Sequence, residues 1–385
     1  MEAYLDNSAT TPVSEGVKDI VVRTMTVDFG NPSSRHMKGV EAERYLRTAR
    51  EQIAATLKAK EKEIFFTSGG TESNNWALIG GALANRRAGG RIITTAVEHA
   101  AVLQPMAFLK ELGFTVEFLP VDERGIVSTE DLRAALTPDT ILVSVMHVNN
   151  EVGAVEPVEE IGQIVKAYDP SILFHVDAIQ SYGKFRIVPK KWGIDLLSVS
   201  GHKLHGPKGI GFLYIRENAK IRPLILGGGQ QRGMRSGTDN VPGAAGLGLA
   251  AQEAYTDLDG KVTRMRACRD HLTQALKEME GVSVHSGTDE KAAPHIVSAS
   301  FAGVRAEVLL HALEERGVYV SSGSACSSNR KLPVSSVLKE IHLPESELES
   351  TVRFSFSDRT TMEEIEYALT QLREVVPVLR KYKAG

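Results

Sequence analysis

The chain has 385 residues, 42% of them hydrophobic and 24% charged, with a formal net charge of −3. That length supports two domains or one large domain with a satellite, and the balanced charge gives no global field for direct binding of nucleic acid or an anionic membrane. No apolar run reaches the ~18 residues of a membrane span, and the start Met1-Glu-Ala-Tyr-Leu-Asp-Asn7 is acidic where a signal peptide is basic, so the expected compartment is the cytoplasm.

Short β-rich apolar runs recur at Ile64–Phe66, Arg91–Ala96, Thr115–Leu119, Ile141–His147, Ile172–Val176, Leu196–Val199 and Ile210–Ile215. Helical patterns fill most gaps, at Val40–Leu57, Trp76–Ala84, Val102–Leu112 and Val158–Ala167. This alternation predicts an α/β domain around a largely parallel sheet of seven strands, with ligands bound outside the strand C-termini. From about residue 250 the pattern changes to one long helix, Ala250–Met279, followed by strands near Val282–Val284, Ile296–Phe301, Val318–Val320 and Val352–Phe356. Further helices are expected at Ala306–Glu315 and Thr361–Leu379. The expected division is a large domain over 14–255 and a smaller α+β domain formed by 1–13 and 256–385.

The polar clusters follow the strands. Thr67-Ser-Gly-Gly-Thr-Glu-Ser-Asn-Asn75 leads into a helix with Thr71 as the expected N-cap, and free N–H groups beside glycines suit a phosphate. It fits neither the G-x-G-x-x-G nor the P-loop pattern. His99 follows one strand, Asn149 and Asn150 another, and Asp177 ends a strongly apolar one with Gln180 a turn later. A carboxylate at such a strand end needs a cationic or donor partner, and a protonated pyridine nitrogen is one. In Ser200-Gly-His-Lys203, the lysine is either an exposed loop residue or one whose amine forms an imine with an aldehyde cofactor. A phosphate cradle, a ring-stacking His, a pyridinium Asp and an imine Lys together are the requirements of pyridoxal phosphate.

With these motifs the chain resembles the cysteine desulfurases, class V of the fold type I pyridoxal phosphate transferases, of the kind serving nitrogen-fixation, iron–sulfur cluster and thionucleoside synthesis. The resemblance also rests on Tyr4-Leu-Asp-Asn-Ser-Ala-Thr-Thr-Pro12, Gly30-Asn-Pro-Ser-Ser-Arg-His36, Arg232-Gly-Met-Arg-Ser-Gly-Thr238, Ser321-Ser-Gly-Ser-Ala-Cys326 and Val352-Arg-Phe-Ser-Phe356. It implies that Lys203 is the imine-forming lysine, with Gly70, Thr71, Ser200 and His202 on the phosphate. His99 would stack on the ring and move protons, Asp177 would meet the ring nitrogen, and Asn150 and Gln180 the phenolic oxygen. Thr238 would reach the phosphate of a neighbouring subunit, which implies a homodimer. Arg353 would bind the substrate carboxylate as a fork, with Asn31 and Arg35 near the substrate.

Only two cysteines occur, Cys268 and Cys326, without metal-ligand spacing or a disulfide framework. Cys268 reads as a small side chain on a helix. Cys326 stands among serines and glycine, which suits a tethered nucleophile. The resemblance implies that its thiolate takes the sulfur of L-cysteine as a persulfide, leaving L-alanine. The acceptor would then be a cluster scaffold protein or a tRNA thiolation enzyme. No resident metal is expected, only a transient contact of Cys326 with a nascent cluster. The chain stops soon after its last helical pattern, so it is expected to lack a scaffold-docking extension, and the basic stretch from Asn329 bears on acceptor choice. The alternative activities are a selenocysteine lyase, another class V enzyme, or a sulfur carrier that has lost catalysis.

Overall fold

The computed structural model describes residues 1–322 and 335–382. Its largest sheet has seven strands, in the order Ile64–Thr67, Gly211–Ile215, Leu196–Ser200, Leu173–Asp177, Thr140–Met146, Arg91–Thr95, Thr115–Leu119. Gly211–Ile215 runs antiparallel to both neighbours and every other pairing is parallel. The runs expected from the sequence are all present, within a residue or two at their ends. Thr140–Met146, Leu173–Asp177 and Leu196–Ser200 are buried throughout, as strands covered on both faces must be. Helices cover them with periodic apolar faces; in Val158–Tyr168 the buried side chains include Val158, Ile161, Ile164 and Val165.

A second sheet of four strands has the order Ser321–Ser322, Thr351–Ser355, Ile296–Phe301, Val282–Val284, and is antiparallel. Its core, which includes Leu272, Leu309, Phe301, Phe354 and Leu369, also takes in Ala3 and Leu5 from the chain start. Ala3–Tyr4 pairs in parallel with Val318–Tyr319. Cys268 is buried on the helix Leu258–Lys277, as expected, and burial raises the pKa of its thiol.

The single helix expected over Ala250–Met279 is two, Val241–Tyr255 and Leu258–Lys277. Thr256 is extended and Asp257 left-handed, with φ 53°. The first helix packs its Ala and Gly residues into the large core, whereas the second buries Leu272 and Leu276 in the other. One straight helix could not serve both, so the chain turns between them.

The N-terminal segment links the second sheet to the turn that bears Lys203. Asn7 donates from Nδ2 to the carbonyl of Ser355 at 3.1 Å. Thr11 donates from Oγ1 to the His202 carbonyl at 2.9 Å and accepts from His205 N at 2.8 Å. His205 reaches back to the Pro12 carbonyl through Nδ1 at 2.7 Å and pairs with Asp358 at 3.1 Å.

Candidate active site

The sheet directions bring six strand ends to one edge. The five parallel strands end at Thr95, Leu119, Met146, Asp177 and Ser200, and the two antiparallel pairings turn the end of Ile64–Thr67 the same way. This is the edge at which open α/β sheets bind ligands.

Lys203 closes a 3-10 turn directly after Ser200. It is half-buried, and its ammonium donates to the carbonyls of Ser8 at 2.5 Å and Ala9 at 2.7 Å. Desolvation, with the cations of Arg353 and Lys184, lowers its pKa to about 8. Asp177 is fully buried. Asn74 Nδ2 donates to its Oδ2 at 2.7 Å and Ile179 N to its Oδ1 at 3.0 Å. Burial raises the Asp177 pKa, while these donors and the charges of His99 and Lys203 oppose the rise. On the same strand, His175 bridges Ser144 Oγ at 2.8 Å and Ser198 Oγ at 3.0 Å. Burial lowers its pKa to about 3, so it is a neutral brace inside the sheet.

His99 is the N-cap of the helix Ala100–Glu111, its Nδ1 accepting from Ala101 N at 3.1 Å. That bond leaves the ring proton on Nε2. Desolvation lowers the His99 pKa, so the ring is neutral near pH 7. Beneath it, Glu98 accepts from Thr95 Oγ1 at 2.8 Å and Met146 N at 2.9 Å, and burial holds its carboxyl well above the usual range. His99 and Thr71 line one open hollow of about 400 Å³.

The helix after the first strand begins at Gly70, so Gly69 and not Thr71 is its N-cap. Gly69 has φ +151°, in the region open to glycine, and a Cβ there would stand 3.7 Å from Ser200 Oγ. A Cβ on Gly211 would press on Gly69 Cα at 2.9 Å, so this loop lies tight against the neighbouring strand. Thr71 falls in the first turn, exposed. Glu72 is held by Arg235 at 2.9 Å and by Ser68 N at 2.7 Å. His202 is half-buried, its Nδ1 3.2 Å from Thr10 Oγ1, and desolvation lowers its pKa to about 4. Gln180 is buried and donates to the Ser8 carbonyl at 2.9 Å, leaving its Oε1 without a partner.

Arg353 is half-buried on Thr351–Ser355, not an exposed strand charge. It donates from Nη2 to Asp6 Oδ1 and from Nη1 to the Asn150 carbonyl, both at 2.8 Å, while its buried Nε has no partner. Asn150 is thereby tied to Arg353 through its backbone, and it is Asn149 that makes the turn, accepting from Glu151 N and Val152 N. Asn31, Arg35 and Thr238 are exposed and make no polar contact with Lys203, Asp177 or His99 among the described residues. Cys326 lies outside the described residues, as does most of the basic stretch from Asn329. Both anchors of that segment adjoin the cluster. Ser321 pairs in register with Arg353, and Ser335 Oγ donates to Glu151 Oε2 at 2.5 Å.

Asn74 and Asp6 were not singled out from the sequence, although both fall inside the quoted motifs. An amide or carboxylate that serves another side chain leaves no spacing signature of its own. Pyridoxal phosphate fits these residues: an amine beside a buried carboxylate, a neutral imidazole capping a helix, hydroxyls flanking a tight glycine, and unpartnered buried atoms on Gln180, Asn74 and Arg353. Among the described residues no His, Cys, Asp and Glu group suits a metal, and no helix is long and apolar enough to cross a membrane.

The sequence profile of the aminotransferase class-V family matches residues 3–368. The cysteine desulfurase IscS of Dictyoglomus turgidum is 44% identical over 98% of this chain and 95% of its own. The putative cysteine desulfurase IscS 1 of Bacillus subtilis is 44% identical over 97% of this chain and 98% of its own. Among solved structures, a NifS-like protein superposes with a TM-score of 0.93 at 39% identity, covering 98% of this chain and all of that one. SspA in complex with cysteine gives a TM-score of 0.81 at 36% identity, over 93% of this chain and all of that one. The chain therefore belongs to the aminotransferase class-V family and, within it, to the pyridoxal phosphate-dependent cysteine desulfurases.

Proposed function

We propose that this enzyme takes the sulfur of L-cysteine onto Cys326 as a persulfide and releases L-alanine. The Cβ–S bond of the substrate breaks and an S–S bond forms. The substrate sulfur is oxidised, and Cβ keeps the bonding electron pair and gains a proton. The observation that carries this reading is the desolvated Lys203 amine at the sheet edge shared with Asp177 and His99.

Pyridoxal phosphate, when bound, supplies the electron sink that stabilises negative charge on the substrate carbons. Asp177 would hold the ring nitrogen protonated, since a buried carboxylate favours a cationic partner. Gly70, Thr71, Ser200 and His202 would hold the phosphate, and Asn150 and Gln180 the phenolic oxygen. His99 would stack on the ring and carry a proton on Nε2. The free Lys203 amine, which reaches the carbonyls of Ser8 and Ala9, would serve as the base at the α-carbon. The Cys326 thiolate then attacks the substrate sulfur.

A base with a pKa of about 8 must lose its proton before it can act. The expected kcat for L-cysteine, which reports groups of the substrate complex, therefore rises about tenfold per pH unit below 8 and levels off above it. A flat profile between pH 6 and 9, by alanine release, would exclude Lys203 as the titrating base.

The Arg353 fork is held by Asp6 and Asn150, and its remaining donors suit the substrate carboxylate. Arg353→Lys is expected to raise KM about 10- to 100-fold with a smaller change in kcat, because a carboxylate anchor acts in ground and transition states alike. An unchanged KM would remove Arg353 from the substrate site. Asn31 and Arg35 would lie near the substrate.

We further assign Thr238 to the phosphate of a second subunit, hence a homodimer, with a scaffold protein or a tRNA thiolation enzyme as the sulfur acceptor in the cytoplasm. Residues 14–255 would act as the cofactor-binding domain, with 1–13 and 256–385 as the domain that carries Cys326. The experiment that tests the function is the stoichiometry of alanine and protein-bound sulfur after addition of L-cysteine to the holoenzyme. Equal amounts support it, and free sulfide with unmodified protein would exclude it.

A further inference from the structure

Behind Lys203, a small cavity of about 50 Å³ is lined by Lys203, Lys184, His205, Lys261, Asp358 and Phe356, among others. Lys184 enters it after a turn at Gly183, whose φ of +79° is open to glycine. The Lys184 ammonium donates to the backbone carbonyl of Lys203 at 3.1 Å. Its nearest acidic influence is Asp358, but that carboxylate is taken by His205 and Lys261, each at 3.1 Å. Among the described residues, no carboxylate lies within ion-pair distance of Lys184. A desolvated ammonium without a counter-ion is costly to a fold. Desolvation lowers its pKa to about 8, so near neutral pH it still carries its charge.

We propose that Lys184 is a positioning residue for Lys203: it pins the carbonyl of the lysine turn from inside the fold and sets a positive charge behind the Lys203 amine, favouring that amine's neutral, bond-forming state. The proposal rests on the reading of Lys203 as the cofactor-binding lysine. A second cation beside a reactive lysine is a known route to its activation. Of the other groups that face Lys203, Arg353 acts in the same direction but is tied to Asp6; Asp6 and Asp177 favour the charged amine; His99 and His202 are neutral near pH 7. Around Lys184 the remaining charged or titratable groups are Asp358, Lys261, His205, Arg359 and Glu253 along the cavity, and His295, which burial keeps neutral.

The test is a pH titration of the holoenzyme's visible cofactor absorbance, with no substrate present. Lys184→Gln keeps a donor to the Lys203 carbonyl without the charge, and is expected to move the midpoint up by about one pH unit. Lys184→Met is expected to shift it at least as far, and Lys184→Arg to restore the wild-type midpoint even if turnover falls. An unchanged midpoint in the Gln variant, or an equal shift in the Gln and Arg variants, would overturn the proposal. Loss of folded protein in both would assign Lys184 to the fold and overturn it as well. A wild-type holoenzyme without a visible band would instead sink the assignment of Lys203, and this proposal with it.

Discussion

Lys203→Ala is expected to lower alanine release from L-cysteine by at least about 10³-fold, because it removes both the covalent anchor and the base at the α-carbon. The residue stands where a strand buried throughout meets a 3-10 turn, with its ammonium fixed on the Ser8 and Ala9 carbonyls. Removing a half-buried side chain from the mouth of the sheet leaves the core intact, so the variant should fold. It should still bind pyridoxal phosphate, since Asp177, His99, Thr71 and Ser200 remain. Reduction with borohydride is then expected to fix the cofactor to the wild-type protein and not to the variant. Lys203→Arg, which keeps a cation that cannot form the imine, is expected to be equally inactive. Turnover within tenfold of wild type in either variant, by single-turnover alanine measurement, would remove Lys203 from the chemistry.

Cys326→Ala is expected to keep the full cofactor absorbance while losing alanine formation by about 10²- to 10³-fold and losing protein-bound sulfur altogether. Substrate binding and proton removal depend on Arg353, Lys203 and the cofactor, none of which the substitution touches. What disappears is the nucleophile that takes the sulfur, so the reaction halts with the Cβ–S bond intact. Cys268 cannot substitute. It is buried on the helix Leu258–Lys277, and burial disfavours its thiolate. The combination of bound cofactor with lost sulfur transfer separates a desulfurase from a selenocysteine lyase, whose substrate cleavage would survive the change.

The seven strands of the large sheet were legible because runs such as Ile141–Met146 and Leu196–Val199 are short, apolar and bounded by glycine or polar turns. The candidate site was legible as a cluster because the strand ends each carry polar residues: His99, Asn149 and Asn150, Asp177 and Gln180, Ser200 to Lys203. Two kinds of feature were not. The break between Val241–Tyr255 and Leu258–Lys277 carries neither Gly nor Pro; it arises because the two helices serve different cores, a tertiary demand that local propensity does not register. The helix start at Gly70, one residue before the expected Thr71 cap, depends on the φ of Gly69 beneath Ser200. Likewise Asn74 on Asp177, Asp6 on Arg353 and Lys184 on the Lys203 carbonyl are contacts across 103, 347 and 19 residues of chain. Sequence spacing contains no trace of such pairs.

The central claim is that sulfur leaves L-cysteine onto Cys326. One equivalent of L-cysteine added to the holoenzyme, followed by peptide mass spectrometry without reductant, tests it most directly. The account predicts one added sulfur atom on the peptide containing Cys326, matched by one L-alanine, with the Cys268 peptide unmodified. Alanine formed at the same rate by Cys326→Ala, or sulfur found on Cys268 or only as free sulfide, would contradict it.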